Sequence, residues 1–269
     1  MGGEQKGWAV VTGASVGIGA VFARELVKRG YPVLAVARRK EKLDDLAAEA
    51  AAAGGRIEPL ALDLQEEGSA QRICERALEL GAVELLVNNA GYGHYGAFLD
   101  APLDRLLGMH RLNMDVLVEL TYRLLPPMLE RRRGGVINLA SIAAFAPGPF
   151  FNVYSATKAY VLSFSEALAV ELKGTGVRVL AVCPGPVTTE FAQVAESGRI
   201  EKMLPALTPE AVVKDALNAF ESGRVVKVQG LINWAITVSP KMMPRLVTRW
   251  VNDMLFRPPA NKGELPPAS

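Results

Sequence analysis

Residues 8–20, WAVVTGASVGIGA, run from an uninterrupted apolar stretch through three glycines into residues spaced for a helix. A strand that turns on glycines into a helix lets backbone N–H groups approach a pyrophosphate at the helix N-terminus. Gly13, Gly17 and Gly19 follow G-x-x-x-G-x-G rather than G-x-G-x-x-G, so the turn points to a dinucleotide without the commoner fingerprint. The same residues contain GASVG at 13–17, which fits a hydrolase nucleophile elbow with Ser15 as nucleophile. That scheme needs an acid and then a histidine late in the chain, and no histidine follows His110. The dinucleotide reading is kept.

Outward from this turn, short apolar runs at 8–13, 32–38, 58–64, 83–90, 135–141, 177–184 and 225–230 read as buried strands. Between them, 18–29, 40–53, 66–80, 102–130, 153–173 and 208–222 carry apolar residues at helical intervals. Strand and helix in alternation predict an α/β fold, a Rossmann-type doubly wound parallel sheet of about seven strands with helices on both faces. One domain is expected over 7–256, with a disordered N-terminus at 1–6 and a polar, proline-rich tail at 257–269, RPPANKGELPPAS.

Thirty basic and 28 acidic residues, spread along 269 positions, give a formal charge of +2, which offers no case for nucleic acid. The densest basic run, Arg131–Arg133, follows a helical segment and reads as a solvated helix end. Two cysteines, Cys74 and Cys183, build no disulfide framework. With only His94 and His110 beside them, no metal site is expected. The first residues, MGGEQKGW, show no apolar signal region, and no apolar run is long enough to span a bilayer. A cytoplasmic protein is expected.

The second strand ends in Ala37-Arg38-Arg39, about twenty residues past the glycine turn. An acidic residue there would hold the ribose hydroxyls of NAD, whereas arginine suits the extra phosphate of NADP. Arg38 is the expected phosphate ligand, with Arg39 in support, and NADP(H) the expected cofactor. Further on, NVYSATKAY at 152–160 sets Tyr154 and Lys158 one helical turn apart on one face. A phenol has a pKa of about 10, and an adjacent cation favours its ionised form. The pair therefore reads as a tuned proton donor.

With TGASVGIG, Asp63, NNAG at 88–91, Asn113, Ser141, YSATK at 154–158 and PGPVTT at 184–189 in that order, the sequence resembles the short-chain dehydrogenase/reductase family from about residue 7 to 230. The resemblance implies the roles that follow. Tyr154 is the acid/base, Lys158 its partner and the holder of the nicotinamide ribose, Ser141 the hydroxyl that orients the carbonyl, and Asn113 the anchor of a relay water. Cofactor contacts are expected from Gly13, Ser15, Gly17, Ile18 and Gly19, from Asp63 and Leu64 near the adenine, and from Asn89, Ala90 and Gly91. Pro184, Gly185, Val187 and Thr189 are expected to flank the nicotinamide. One departure is Val16, where many NADP-preferring relatives carry a basic residue.

The expected substrate is a small carbonyl or alcohol compound, apolar or aromatic, because the bordering segments offer Tyr92, Tyr95, Phe145, Phe150, Phe151, Val187 and Phe191 with few charges. The alternative is a dinucleotide-binding sensor or scaffold without turnover. A homodimer or homotetramer is expected. The segment 239–256 resembles a basic-apolar C-terminal helix found in a subset of bacterial relatives. Within it, apolar residues recur at helical intervals near 245–256, between Pro244 and Pro258. That stripe is expected to pack on the protein's own core or a second subunit and to border the active site at most indirectly. Attachment to a membrane is not expected, because the polar face is weakly basic.

Overall fold

The computed structural model describes residues 6–195, 197 and 204–257. The expected terminal segments 1–5 and 258–269 lie outside the described residues. Lys6 and Arg257, which were read as part of those segments, are both engaged: Lys6 Nζ stands 4.2 Å over the ring of Tyr31, and Arg257 pairs with Asp253 at 2.8 Å.

Seven strands form one parallel sheet in the order β3-β2-β1-β4-β5-β6-β7. They are β1 Trp8–Thr12, β2 Val33–Ala37, β3 Ile57–Ala61, β4 Val83–Asn88, β5 Gly134–Leu139, β6 Val177–Cys183 and β7 Val226–Val228. The connecting helices are α1 Gly17–Lys28, α2 Lys40–Ala52, α3 Ser69–Leu80, α4 Leu103–His110, α5 Val116–Glu130, α6 Asn152–Glu171, α7 Phe191–Ala195, α8 Pro209–Glu221, α9 Leu231–Met242 and α10 Arg245–Phe256. The strands read as unbroken apolar runs because both faces are covered. Ala9, Val11, Leu85 and Val87 pack against α1, α2 and α8, while Val10, Leu86 and Val179 pack against α3 and α5. Each of the five inner strands thus alternates between apolar layers, with the period of two that a pleated strand imposes, while the edge strands β3 and β7 are partly exposed.

Strand order reverses between β1 and β4, and in open parallel sheets the crevice at such a switch point, beyond the strand C-termini, is where ligands bind. The glycine turn after β1 and the Asn89–Gly91 segment after β4 both open there.

Two expectations are corrected at this level. Residues 102–130, read as one helix, are interrupted by a π turn at Arg111–Asp115, where wider i→i+5 bonding changes the register of the helix. The basic run is not merely solvated. Arg131 donates to the carbonyl of Val83 at 2.6 Å, Arg132 to that of Gly174 at 2.9 Å, and Arg133 pairs with Glu84 at 3.2 Å. These contacts tie the C-terminal end of α5 to the start of β4 and to the turn before β6.

Candidate active site

The glycine turn is shaped by what a side chain would strike. Gly13 and Gly17 hold φ angles of 66° and 56°, a region that glycine enters without steric cost. A Cβ on Gly19 would lie 2.2 Å from the carbonyl oxygen of Gly13, so the helix meets the turn at backbone contact. Val16 stands at the N-cap of α1 without a side-chain cap, and the first turn of α1 carries no acidic residue. Its first N–H groups therefore face the crevice beside Ile18 and fit a pyrophosphate. Asn89 locks the turn in place: its Nδ2 donates to the carbonyls of Thr12 at 2.9 Å and Gly13 at 3.2 Å. Thr12 Oγ1 in turn accepts from the backbone N–H groups of Asn89 and Ala90. Asn89 thus acts here through the turn, with its amide committed to backbone.

Arg38 is exposed at the C-terminal end of β2. Arg39 crosses the glycine turn instead, pairing with Glu190 at 3.0 Å and reaching Ser15 Oγ at 3.4 Å. Of the two arginines, Arg39 is already engaged by a carboxylate. Asp63 and Leu64 follow β3. The carboxylate of Asp63 accepts from the backbone N–H of Gln65 at 2.9 Å, and Leu64 is buried in the layer beneath.

The first turns of α6 place Tyr154, Thr157 and Lys158 on the buried face. Lys158 Nζ donates to the carbonyl of Leu139, at the end of β5, at 2.7 Å and stands 5.7 Å from the ring centroid of Tyr154. Burial disfavours its charge and pulls its pKa from 10.5 down to about 8. The neighbouring thiol of Cys183 is pushed up to about 12 by burial and stays neutral. A Cβ on Gly91 would sit 2.8 Å from Asn113 Oδ1 and 3.6 Å from Lys158 Nζ, so the glycine keeps the ammonium approachable.

Asn113 lies inside the π turn. Its Oδ1 accepts from Tyr92 N at 3.2 Å, and its Nδ2 donates to Tyr92 O at 3.1 Å and Thr157 Oγ1 at 3.0 Å. Thr157 completes the link by donating to the carbonyl of Tyr154 at 2.8 Å. Ser141, buried just past β5, accepts from Ala143 N at 3.1 Å and starts the 3-10 turn Ile142–Phe145. That turn is tied to the end of β6 where Ile142 N donates to Pro184 O at 3.0 Å. Asn113, Ser141, Tyr154 and Lys158 therefore converge at the C-terminal ends of β4, β5 and β6.

The residues after β6 divide. Gly185 is pressed against Asn233 of α9, where a Cβ would meet Nδ2 at 2.6 Å. Thr189 borders the glycine turn, since a Cβ on Gly17 would touch its methyl at 3.0 Å. Val187, expected in the pocket, points into the core with α1 and α8 because its backbone bridges to Leu207.

Around Tyr154 the walls are apolar. Its ring stacks on Phe151 at 4.3 Å and lies 5.4 Å from Phe191. Tyr92, Tyr95, Leu106 and Met109 belong to the same cluster. Burial raises the pKa of Tyr92, and its hydroxyl donates to the carbonyl of Arg105 at 2.7 Å. Phe145, counted among the pocket aromatics, packs elsewhere, with Leu117, Val161 and Ala181. Phe150 is held at φ 60°, strained for a bulky residue, and its carbonyl accepts from Gly96 N at 2.8 Å. The C-terminal helix reaches this wall directly, contrary to expectation: Tyr95 donates to Phe256 O at 2.5 Å, and Asn252 donates to Pro147 O at 2.7 Å.

Sequence reasoning missed Thr12 and a buried polar chain behind the site. Asn88 Nδ2 donates to Asn138 Oδ1 at 2.9 Å and to Thr121 Oγ1 at 3.2 Å, and Asn138 Nδ2 donates to Ser165 at 2.9 Å. Asn88 and Asn138 face each other across β4 and β5. Their signal was an asparagine inside each of two otherwise apolar strands.

Comparison with known proteins agrees with this geometry. A profile of the short chain dehydrogenase family matches residues 7–199. A short chain dehydrogenase of Pseudocercospora fijiensis is 40% identical over 186 residues, which cover 68% of this chain and 60% of that protein. The ketoacyl reductase HetN of Nostoc sp. is 31% identical over 90% of this chain and 88% of its own length. Among solved structures, a short-chain dehydrogenase from Sphingobium yanoikuyae in complex with NADPH superposes with a TM-score of 0.79 at 30% identity, covering 88% of this chain and 94% of that one.

Proposed function

Because the chain belongs to the short-chain dehydrogenase family and is a nicotinamide-dependent oxidoreductase, we propose that it interconverts a carbonyl compound and its alcohol, prefers NADP(H), and takes substrates with an apolar or aromatic skeleton. The observation that carries this reading is the position of Tyr154. Its ring lies between Phe151 and Phe191, while the Lys158 ammonium stands beneath it.

The bound nicotinamide supplies or accepts the hydride. The chain's own residues handle the oxygen and its proton. In the reducing direction, Ser141 Oγ holds the substrate oxygen and Tyr154 gives it the phenolic proton as negative charge develops there. The Lys158 cation favours the resulting phenolate and lowers the energy of the transfer. The side-chain amide of Asn113 is committed to Tyr92 and Thr157, so the anchoring of a relay water falls to its backbone. A dry aromatic wall strengthens these interactions by excluding solvent. Arg38 supports NADP(H), as does the NADPH complex of the Sphingobium relative. The same intact constellation argues against a silent sensor.

The test is a panel of aryl ketones, aliphatic ketones, 3-oxoacyl thioesters and charged keto acids assayed with NADPH and NADH. Highest kcat/KM for the apolar members with NADPH is expected. Efficient turnover of charged keto acids alone would refute the substrate reading.

A further inference from the structure

The last two helices carry their amphipathic pattern inside out. The residues they bury are polar: Asn233 and Thr237 on α9, and Thr248 on α10. Asn233 donates to Gln229 O at 2.7 Å, and Asn252 fastens α10 to Pro147. The side chains they turn to solvent are large and apolar. Leu231 is 85% exposed, Trp234 57%, Met242 81%, Leu246 71%, Trp250 63% and Met254 63%. This corrects the expectation that the stripe packs on the protein's own core. Both helices lie on one side of the molecule, since α9 packs on the turn Ile142–Phe145 and α10 bonds Pro147 beside it.

A helix that packs on its own protein turns its apolar side inward. A contiguous apolar surface left in water marks a contact site. A second copy of this chain and a lipid surface are the two occupants that suit such a face.

Charge decides between the remaining occupants. Residues 231–257 carry Lys241, Arg245, Arg249 and Arg257 against Asp253 alone, an excess of +3 in a chain whose formal total is +2. The rest of the protein is therefore slightly acidic, and the positive charge is concentrated on the apolar helices. A two-fold contact with a second copy would bring each arginine set near its own image, which opposes association. Anionic headgroups complement it. Tryptophan beside arginine at the edge of an apolar face is also the composition that settles at the boundary of a bilayer.

Contrary to the expectation drawn from the weakly basic segment 245–256 alone, we infer that α9 and α10 together form a surface that docks on anionic lipid membranes, lying in the interface without crossing it. Among the described residues, no helix is long and apolar enough to span a bilayer. This inference does not depend on the substrate proposed above.

The experiment uses the full chain and extruded vesicles of phosphatidylcholine containing about one quarter phosphatidylserine. Two of the three tryptophans lie on the proposed surface, while Trp8 is buried against Arg56 at 4.8 Å. Docking should float the protein with the vesicles, shift tryptophan emission to shorter wavelength, and make it quenchable by brominated lipid. High salt or vesicles of pure phosphatidylcholine should weaken binding. Leu246→Glu with Trp250→Glu should lower the partition coefficient at least about tenfold and leave the thermal midpoint unchanged, since both side chains project into solvent. A wild-type protein that stays with the buffer fraction overturns the inference. So does a double variant that floats as well as wild type, because binding would then lie elsewhere. A wild-type dimer that the double variant converts to monomer, with no flotation of either, would assign the face to a second copy and overturn it equally.

Discussion

Lys158→Met should abolish most turnover without destabilising the protein in proportion, and the reason lies in where the ammonium sits. Holding this lysine buried lowers its pKa from 10.5 to about 8, which at about 1.36 kcal/mol per pH unit corresponds to about 3 kcal/mol of stability lost at neutral pH. Methionine is unbranched, apolar and able to fill the same channel, so it relieves that penalty. It also leaves the Leu139 carbonyl without the charged donor it has at 2.7 Å, a loss of about 1.5–3 kcal/mol. The two nearly cancel. The variant is expected within about 1–2 kcal/mol of wild type at pH 7, while kcat/KM for reduction falls at least about a hundredfold.

The pH dependence supplies the sharper test. Between about pH 8 and 10.5, the folded protein holds Lys158 neutral while the unfolded chain keeps it protonated. The unfolded state then binds more protons, so wild-type stability should rise with pH across that window relative to the methionine variant. The limiting slope is about 1.36 kcal/mol per pH unit. Below pH 8 both states are protonated and the difference should be flat. Cys183, pushed up to about 12, remains a thiol throughout the window, and placing both proteins in a Tyr154→Phe background removes the phenol whose ionisation Lys158 itself influences. Urea unfolding of both proteins at half-unit pH steps measures this. A difference that stays flat from pH 8 to 10.5, or falls, would refute the argument that Lys158 is held against its solvation preference.

Tyr154→Phe keeps the ring between Phe151 and Phe191 but removes the proton, and turnover should drop by about 10²–10⁴ while NADPH binding, read by fluorescence, is retained; near-normal turnover would sink the assignment. Arg38→Asp should move kcat/KM toward NADH by at least about tenfold, equal to about 1.4 kcal/mol, and an unchanged ratio would shift attention to Arg39 and its Glu190 contact. Gly19→Ala sets a methyl 2.2 Å from the Gly13 carbonyl, so the turn must move; cofactor affinity should fall at least about tenfold and stability by about 1–3 kcal/mol, as titration calorimetry and thermal unfolding would report.

The strands were legible because burial leaves them mostly apolar, with few polar residues such as Asn88 and Asn138, and the glycine turn because only glycine permits its backbone. Tyr154 and Lys158 were legible for a similar reason, since one helical turn is a spacing that sequence states directly. The interruption at Arg111–Asp115 was not. A π turn changes hydrogen-bond register while leaving apolar residues on the same side, so 102–130 still reads as one helix. Val187 and Phe145 were misplaced for a different reason. Their chemistry suits a pocket and a core equally, and what sends Val187 inward is a bridge to Leu207 twenty residues away in the chain.

The C-terminal helix marks the limit most clearly. Periodicity between Arg245 and Phe256 fixes the position of the apolar stripe relative to the helix itself, but not relative to the rest of the molecule. That second relation is set by a few polar contacts. Tyr95 holds the C-terminal end of α10 through Phe256, and Asn252 holds its middle through Pro147. The Asn252 contact uses a polar side chain and the Tyr95 contact pins the helix end by its backbone, an orientation that leaves Leu246, Trp250 and Leu255 outward. The contacts that make α10 part of the wall of the candidate site are therefore the same ones that leave its apolar face to the surroundings. Closure of the cleft and exposure of the proposed docking surface follow from one orientation of one helix, and a change that released Asn252 from Pro147 would disturb both together.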